Sequence, residues 1–143
     1  MQNEVNSWRP EGEYVLDSYA LLAHFEDEAG GERVRILLKA AQAGKTRLFL
    51  SVINFGELYY NTFRERGPKA AEEAGFIVAQ LPIAIVDADM SITVQAARLK
   101  GAHSVAYADC FAAALGMREN AKVVTGDPEF KKFPNTVPIE WIT

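Results

Sequence analysis

The sequence predicts a single α/β domain in which helices cover both faces of a mostly parallel sheet of four to five strands. Three observations favour this class. Short apolar runs alternate along the chain with segments of helical periodicity, which is typical of parallel strands joined by helical crossovers. The length of 143 residues fits one ordinary domain. Hydrophobic residues make up 49% and charged residues 24% of the chain, the balance expected of a globular protein.

The predicted elements follow one another along nearly the whole chain. Strand runs are short and apolar, whereas helical segments repeat apolar residues every three or four positions. We predict strands at residues 14–16, 47–51, 83–86 and 122–125, with a short edge strand at 139–142. We predict helices at residues 18–28, 32–42, 52–66, 68–80, 89–100 and 105–117. Gly44 suits a helix C-terminus, and Gly67-Pro68 ends one helix and starts the next.

Residues 1–13 form a polar leader before this pattern begins, and residues 14–143 make up the predicted domain. The leader contains Pro10 and Gly12, which interrupt regular structure. Its Trp8 side chain is available to dock on the domain.

Composition limits the classes of function. The chain has 15 Lys and Arg against 19 Asp and Glu, so a nucleic-acid partner must be met by local basic patches. One cysteine, Cys110, excludes an internal disulfide and fits a reducing compartment. No apolar run is long enough to cross a membrane, and the first residues lack a signal-peptide pattern. We therefore expect a cytoplasmic protein with no membrane partner.

Four acidic residues fall where functional groups collect in open α/β sheets, at the carboxyl ends of the strands. Asp17 directly follows the first strand, and Asp127 follows the fourth. Glu57 lies near the start of the helix after the second strand, and Asp109 lies in the first turns of the alanine-rich helix. Clustered carboxylates cannot all stay ionised without a cation, and oxygen ligands favour Mg²⁺ or Mn²⁺.

Each acid taken alone also has a structural interpretation. Asp17 suits a turn, and Asp127 before Pro128 does the same. Asp109 complements a helix dipole, and Glu57 falls opposite an apolar stripe, where a side chain is solvated. The joint placement of all four favours a functional site.

The residues around these acids resemble a known family, the PIN-domain ribonucleases. The matching segments are VLDSYALLAHF, LSVINFGELYYN, SVAYADCFAAALG and AKVVTGDPEF, which occur in the family's order and cover nearly the whole chain after the leader. The amino-acid sequences of these segments are most similar to those of the VapC-type toxins of toxin–antitoxin pairs. The leader departs from that pattern, because such toxins usually begin close to the first strand.

The resemblance implies a PIN-like three-layer fold and a metal-dependent endoribonuclease. It implies that Asp17, Glu57, Asp109 and Asp127 are the catalytic residues and bind Mg²⁺, with Mn²⁺ able to substitute. Thr125 is expected to support this set through its hydroxyl, or else to serve as a structural cap. The implied partners are RNA, a cognate antitoxin and a second copy of the chain in a homodimer.

Two surfaces are candidates for these partners. An antitoxin is expected in a groove between the first two helices, which offer apolar residues that also suit the core: Leu21, Leu22, Phe25, Leu37 and Leu38. RNA is expected near the basic residues Arg64, Arg66, Lys69, Arg98, Lys100, Arg118, Lys122, Lys131 and Lys132, with Tyr59, Tyr60 and Tyr107 as aromatic contacts.

Other classes of function fit the sequence less well. A phosphohydrolase of the haloacid-dehalogenase type needs a second acid two residues after the first, where this chain has Tyr19. A phospho-receiver needs paired acids near the first strand and a lysine after the last, and the segments VLDSY and VVTGDPEF of this chain supply neither. A protein-binding module with a relict site would normally have lost one acid, and none of the four is missing here. His24, His103 and Cys110 lack zinc-ligand spacing, and no phosphate-binding glycine loop occurs.

Overall fold

A computed structural model describes residues 7–143, which form a three-layer α/β domain. The strands are β1 Gly12–Leu16, β2 Thr46–Ser51, β3 Ala84–Val86, β4 Lys122–Thr125 and β5 Ile139–Trp141. They form one parallel sheet in the order β3-β2-β1-β4-β5. The predicted sheet, including its short edge strand, is confirmed.

Within the same residues, six α-helices flank the strands. They are α1 Ser18–Phe25, α2 Gly31–Gln42, α3 Val52–Arg66, α4 Pro68–Gln80, α5 Met90–Ala102 and α6 Tyr107–Glu119. A 3₁₀ helix, Pro128–Lys132, follows β4. The sequence pattern did not predict this last element, because one short turn carries no periodic signal.

Helix ends differ from the predictions where local hydrogen bonds redirect the backbone. α1 ends at Phe25, three residues early, because Asp27 has a positive φ of 51° and the Glu28 amide bonds to the Ala23 carbonyl at 2.9 Å. α6 begins at Tyr107 rather than 105, since the Val105 amide bonds to the His103 carbonyl in a turn.

Two hydrophobic cores lie on opposite faces of the sheet because successive strand residues point to opposite sides. Tyr14 and Leu16 of β1 pack into one core, and Val15 packs into the other. The first core takes buried residues from the first four helices: Leu21, Leu37, Leu58 and Val78. The second takes residues from α5 and α6: Ile92, Ala96, Leu99, Phe111 and Leu115.

The described part of the predicted leader packs against the first core. Trp8 lies edge-on to Tyr14, with ring centroids 6.2 Å apart, and the Arg33 guanidinium lies 5.0 Å from the Trp8 centroid. β1 begins at Gly12, so the last two residues assigned to the leader belong to the sheet. Residues 1–6 of the predicted leader lie outside the described residues.

The strand order creates a switch point between β1 and β4. The chain runs outward from β1 through β2 to β3, then crosses to the other side of β1 to form β4 and β5. Connections therefore leave β1 and β4 in opposite directions, which opens a crevice at their carboxyl ends. Leu16 pairs with Val124, so the segments after both strands start at the same edge.

Phe130, in the 3₁₀ helix, is fully buried and anchors the segment after β4 to the second core. Phe130→Ala should lower the free energy of unfolding by about 3–5 kcal/mol, because the substitution removes apolar contacts and leaves a cavity. Urea denaturation measures this change. Phe76→Ala is the matched control, since Phe76 is 68% exposed, and should change stability by less than about 0.5 kcal/mol. Equal, small effects of both variants would contradict this account.

Candidate active site

Asp17 lies at the switch point with its carboxyl group inside the protein. The residue is 1% exposed, and its Oδ1 accepts a hydrogen bond from the Ala20 amide at 2.8 Å. Asp17 thereby caps the N-terminus of α1. This capping interaction places the carboxylate at the crevice.

The hydroxyl of Thr125 links Asp17 to Asp127. Thr125 is fully buried at the end of β4, donates to the Asp17 carboxylate and accepts from the Asp127 amide at 3.0 Å. The Asp127 Oδ1 accepts from the Glu129 amide at 3.0 Å and caps the 3₁₀ helix. One side chain therefore ties the segments after β1 and β4 together.

Glu57 reaches the same edge from the second turn of α3. Ser18 Oγ donates to Glu57 Oε1 at 2.7 Å, and Asn54 Nδ2 lies 3.3 Å from the same oxygen. Its side chain is half-buried, so the interpretation of Glu57 as a solvated side chain is wrong. The helical wheel indicated the surface of α3 because it takes no account of α1, which packs beside it.

Asn54 connects this glutamate to the helix that carries Asp109. The side chain is fully buried, and its Nδ2 also donates to the Ala108 carbonyl at 3.1 Å. Both partners of Nδ2 are acceptors, so the reversed amide would place oxygen against oxygen. Asn54 therefore holds α3 and α6 at a fixed spacing beside the acids.

Burial and mutual repulsion perturb two of the carboxyl groups. Burial raises the pKa of Asp17 to about 7, with smaller contributions from Asp109 and Asp127, while the Thr125 and Ala20 hydrogen bonds lower it. Burial also raises the pKa of Asp109 to about 7, and the charges of Glu57, Asp127 and Glu129 add to this effect. The charges of Asp109 and Asp127 therefore act on Asp17, and those of Glu57 and Asp127 act on Asp109.

The acids line a cleft of about 500 Å³ together with residues that sequence reasoning did not assign to it. Glu129 lies there, and its Oε2 is 2.6 Å from Lys132 Nζ. Lys132 also donates to the Ser104 carbonyl at 3.2 Å, and Lys100 donates to the Val105 carbonyl at 2.9 Å. Both lysines were predicted only as parts of a basic stretch.

Local spacing carried some signal for the missed residues. Asn54 lies three positions before Glu57, and Ser18 directly follows Asp17, so each had a neighbour in the predicted set. Glu129 lies in the same TGDPEF segment as Asp127. Lys132 and Lys100 had no such signal, because neither lies beside a predicted acid; Lys132 bonds to the Ser104 carbonyl 28 positions away, and Lys100 bonds to the Val105 carbonyl.

The donor chemistry of the cleft fits a hard divalent cation. Its lining includes carboxylates and hydroxyls, and the described lining residues include no histidine or cysteine. A cation would also offset the repulsion that raises the pKa values of Asp17 and Asp109. Among residues 7–143, no three His, Cys, Asp or Glu side chains lie close enough together in this structure to hold a metal ion. The metal and its ligands therefore stay predictions.

The remaining candidate residues lie elsewhere. Cys110 is buried in the second core, as expected of a packing residue, and burial raises the pKa of its thiol. Tyr59 is partly buried beside Phe55. Tyr60 and Tyr107 are exposed, but neither lines the cleft.

Comparison with protein families identifies the class of protein. The PIN domain model matches residues 14–135 of this chain. The chain therefore belongs to the PIN domain family, as the sequence motifs indicated. This membership replaces the haloacid-dehalogenase alternative. A comparison with curated proteins finds no significant match.

Solved structures share the fold at low sequence identity. VapBC2 from Rickettsia felis, solved with a DNA fragment from its promoter, has a TM-score of 0.72 and 19% identity, covering 92% of this chain and 99% of that chain. VapC20 of Mycobacterium tuberculosis, described as a sarcin-ricin loop cleaving toxin, has a TM-score of 0.65 and 18% identity, covering 82% and 92%. FitAcB from Neisseria gonorrhoeae has a TM-score of 0.62 and 17% identity, covering 91% and 96%.

The raised pKa values predict how stability depends on pH when divalent ions are removed by a chelator. Between pH 4 and 7, Asp17 and Asp109 stay protonated in the folded protein while the unfolded chain ionises. The free energy of unfolding should therefore fall as pH rises through this range and level off above about 7. Asp17→Asn keeps the helix cap and removes the buried charge. Its free energy of unfolding should therefore exceed that of the wild type by about 1–3 kcal/mol at pH 8 and by little at pH 4.

Denaturant unfolding of both proteins at several pH values measures this dependence. Asp89 offers a matched control because it also caps a helix, α5, but is exposed and outside the cleft. The difference in the free energy of unfolding between Asp89→Asn and the wild type should not grow with pH. A wild-type stability that rises between pH 4 and 7 would contradict the predicted direction.

Proposed function

We propose that this protein is a metal-dependent endoribonuclease of the VapC type that hydrolyses phosphodiester bonds in RNA. The observation that carries the proposal is the gathering of Asp17, Glu57, Asp109 and Asp127 around one cleft at the switch point of the sheet. Membership of the PIN domain family supports it. The similarity of the fold to VapC20, a sarcin-ricin loop cleaving toxin, supports RNA as the substrate.

We propose that Asp17, Glu57, Asp109 and Asp127 hold Mg²⁺, with Mn²⁺ able to substitute. When bound, the ion supplies an activated water molecule and neutralises charge on the attacked phosphate. The chain's own residues orient the ligands. Thr125 holds Asp17 through a donated hydrogen bond. Ser18 and Asn54 both donate to Oε1 of Glu57, which fixes its carboxylate and leaves Oε2 for a ligand.

Two lysines give the acidic cleft a positive wall. Lys100 and Lys132 line it, and their ammonium groups are held by the carbonyls of Val105 and Ser104. RNA phosphates approach acidic residues at a large electrostatic cost, and ammonium groups near them reduce it. We therefore propose that these lysines bind the phosphate backbone of the substrate.

An antitoxin is the second proposed partner. The expected groove between the first two helices is not present as such, because Leu21, Leu37 and Leu38 are buried in the first core. The core alternative is confirmed for these three. Leu22 and Phe25 instead line a groove of about 200 Å³ between α1, α3 and α4.

The groove between α1, α3 and α4 combines apolar walls with an acidic rim. Ile77 and Ala74 extend the apolar surface, and Glu26, Glu65 and Glu73 surround it. Arg66 pairs with Glu26 at 3.1 Å, which offsets one of these negative charges. We propose that an apolar antitoxin segment with flanking basic residues binds here.

The chain is also proposed to form a homodimer. The aromatic side chains of Tyr60 and Phe63 are exposed on α3 and support this proposal. Among residues 7–143, no helix is long and apolar enough to cross a membrane.

Asp17→Asn should abolish Mg²⁺-dependent RNA cleavage, with a loss of roughly a thousandfold or more in rate. The amide keeps the shape of the helix cap but removes a negative charge from the cleft. The measurement is the cleavage rate on structured RNA, with the melting temperature in chelator as the check on folding. Asp89→Asn, the exposed cap described above, should cleave at the wild-type rate. An Asp17→Asn variant that melts early but still cleaves would refute the catalytic assignment.

Phe25→Glu should prevent capture of the antitoxin while RNA cleavage is retained. The new carboxylate enters an apolar groove whose rim is already acidic, so binding should weaken by about tenfold or more. Co-expression with the adjacent small reading frame, followed by affinity purification, measures capture. Phe76→Glu, on α4 outside this groove, serves as the control. Equal capture by the Phe25 variant and the wild type would exclude this groove.

A further inference from the structure

Tyr19 is an aromatic residue in the cleft to which the proposed chemistry assigns no role. It lies in the first turn of α1, two residues after Asp17, and lines the cleft with Asp17 and Asp127. The residue is 38% exposed, although Ala20 beside it is buried. A large aromatic surface therefore faces the cleft next to the acids.

Gly126 makes room for this ring. A Cβ atom at Gly126 would lie 2.5 Å from Tyr19 Cε1 and 2.9 Å from Tyr19 Cζ, too close for any other residue without displacing the ring. The backbone at Gly126 does not have a positive φ, so its conformation does not itself require glycine. The requirement is space for the tyrosine.

Thr143 completes the seat of the ring. Thr143 Oγ1 donates to the Gly126 carbonyl at 3.4 Å and lies 2.7 Å from the same Cβ position. The segment between Thr125 and Asp127 is therefore packed between Tyr19 and Thr143. Because Thr125 and Asp127 are themselves hydrogen-bonded, the ring rests on a backbone that the acidic site already fixes.

A fixed, partly exposed ring beside a phosphate-binding site favours one type of contact. In a single strand, each phosphate is flanked by bases whose faces are free to stack, whereas bases within a duplex are already stacked and paired. Aromatic side chains bind such bases through their π faces with little dependence on sequence. The cleft of about 500 Å³ is within the usual range for small-molecule sites.

We infer that Tyr19 is the stacking surface for one unpaired nucleobase next to the phosphate that enters the acidic cleft. This inference rests on the proposed function and specifies its substrate at one position. Two other exposed tyrosines serve different contacts. Tyr60 lies under the Arg64 guanidinium at 5.0 Å on α3, and the Tyr107 ring lies 5.0 Å from that of Phe111.

Binding of a short single-stranded RNA that contains 2-aminopurine tests the inference. Stacking quenches the fluorescence of this base. Recording the quenching immediately after rapid mixing in Mg²⁺, before the RNA is cut, keeps the measurement separate from cleavage. Tyr19→Leu should weaken binding roughly 5- to 100-fold and abolish the quenching, while Tyr19→Phe should retain both. Phe76→Leu, at an exposed aromatic residue outside the cleft, is the matched control and should behave as wild type. Equal binding and quenching by Tyr19→Leu and the wild type would overturn the inference.

Gly126→Ala tests the seat of the ring independently. The added methyl group displaces Tyr19, so this variant should lose quenching as Tyr19→Leu does. In the double variant that combines Tyr19→Leu and Gly126→Ala, the two losses of RNA-binding affinity should not add, because both substitutions act on the same ring. Fully additive losses would show that Gly126 acts through Asp127 instead, and would overturn the seat.

The outcomes separate this inference from the proposed function. A wild-type protein that quenches the base through Tyr19 but does not cleave RNA contradicts the nuclease proposal and leaves the base contact supported. A protein that cleaves RNA equally well with Tyr19→Leu, and binds an RNA with an abasic site as tightly as the intact RNA, contradicts the base contact alone. Loss of antitoxin capture with unchanged base quenching would identify Tyr19 as a protein contact and overturn the inference.

Discussion

The carboxyl group of Asp17 lies between the ends of β1 and β4, where the Thr125 hydroxyl and the Ala20 amide take the place of solvating water. These two donors only partly compensate for burial, and the pKa of the group still rises to about 7. The cost is met by the two hydrophobic cores on either face of the sheet, which hold the strand ends in register. The geometry of the acidic cleft depends on this balance between packing and electrostatic repulsion.

The sequence was sufficient for the order of the elements and for the edge of the sheet where the acids meet. Strand runs such as residues 122–125 end directly before acidic segments, and the carboxyl ends of parallel strands share one edge. Four acids on four different elements therefore converge without any knowledge of contacts. Helix ends were less predictable, because single hydrogen bonds such as Glu28 to Ala23 decide them.

The supporting contacts of the site were beyond sequence reasoning, for a physical reason. Asn54 bonds to the Ala108 carbonyl across 54 positions, and Lys132 bonds to the Ser104 carbonyl across 28. Such pairs leave no periodic or local pattern, because each depends on the crossing of two helices or loops. The partial burial of the Glu57 side chain was missed for the same reason. α1 covers a face of α3 that looks solvated when α3 is considered alone.

The carboxyl groups of Asp17 and Asp109, with pKa values of about 7, are partly protonated at neutral pH. Any cation that replaces those protons must release them to the buffer, so ion entry is an exchange reaction rather than simple addition. The heat measured on ion entry would then include the ionisation enthalpy of the buffer. The apparent affinity of the cleft for a cation would therefore change with small changes in pH near neutrality. The fraction of molecules with a bound cation would then depend on the pH around the protein.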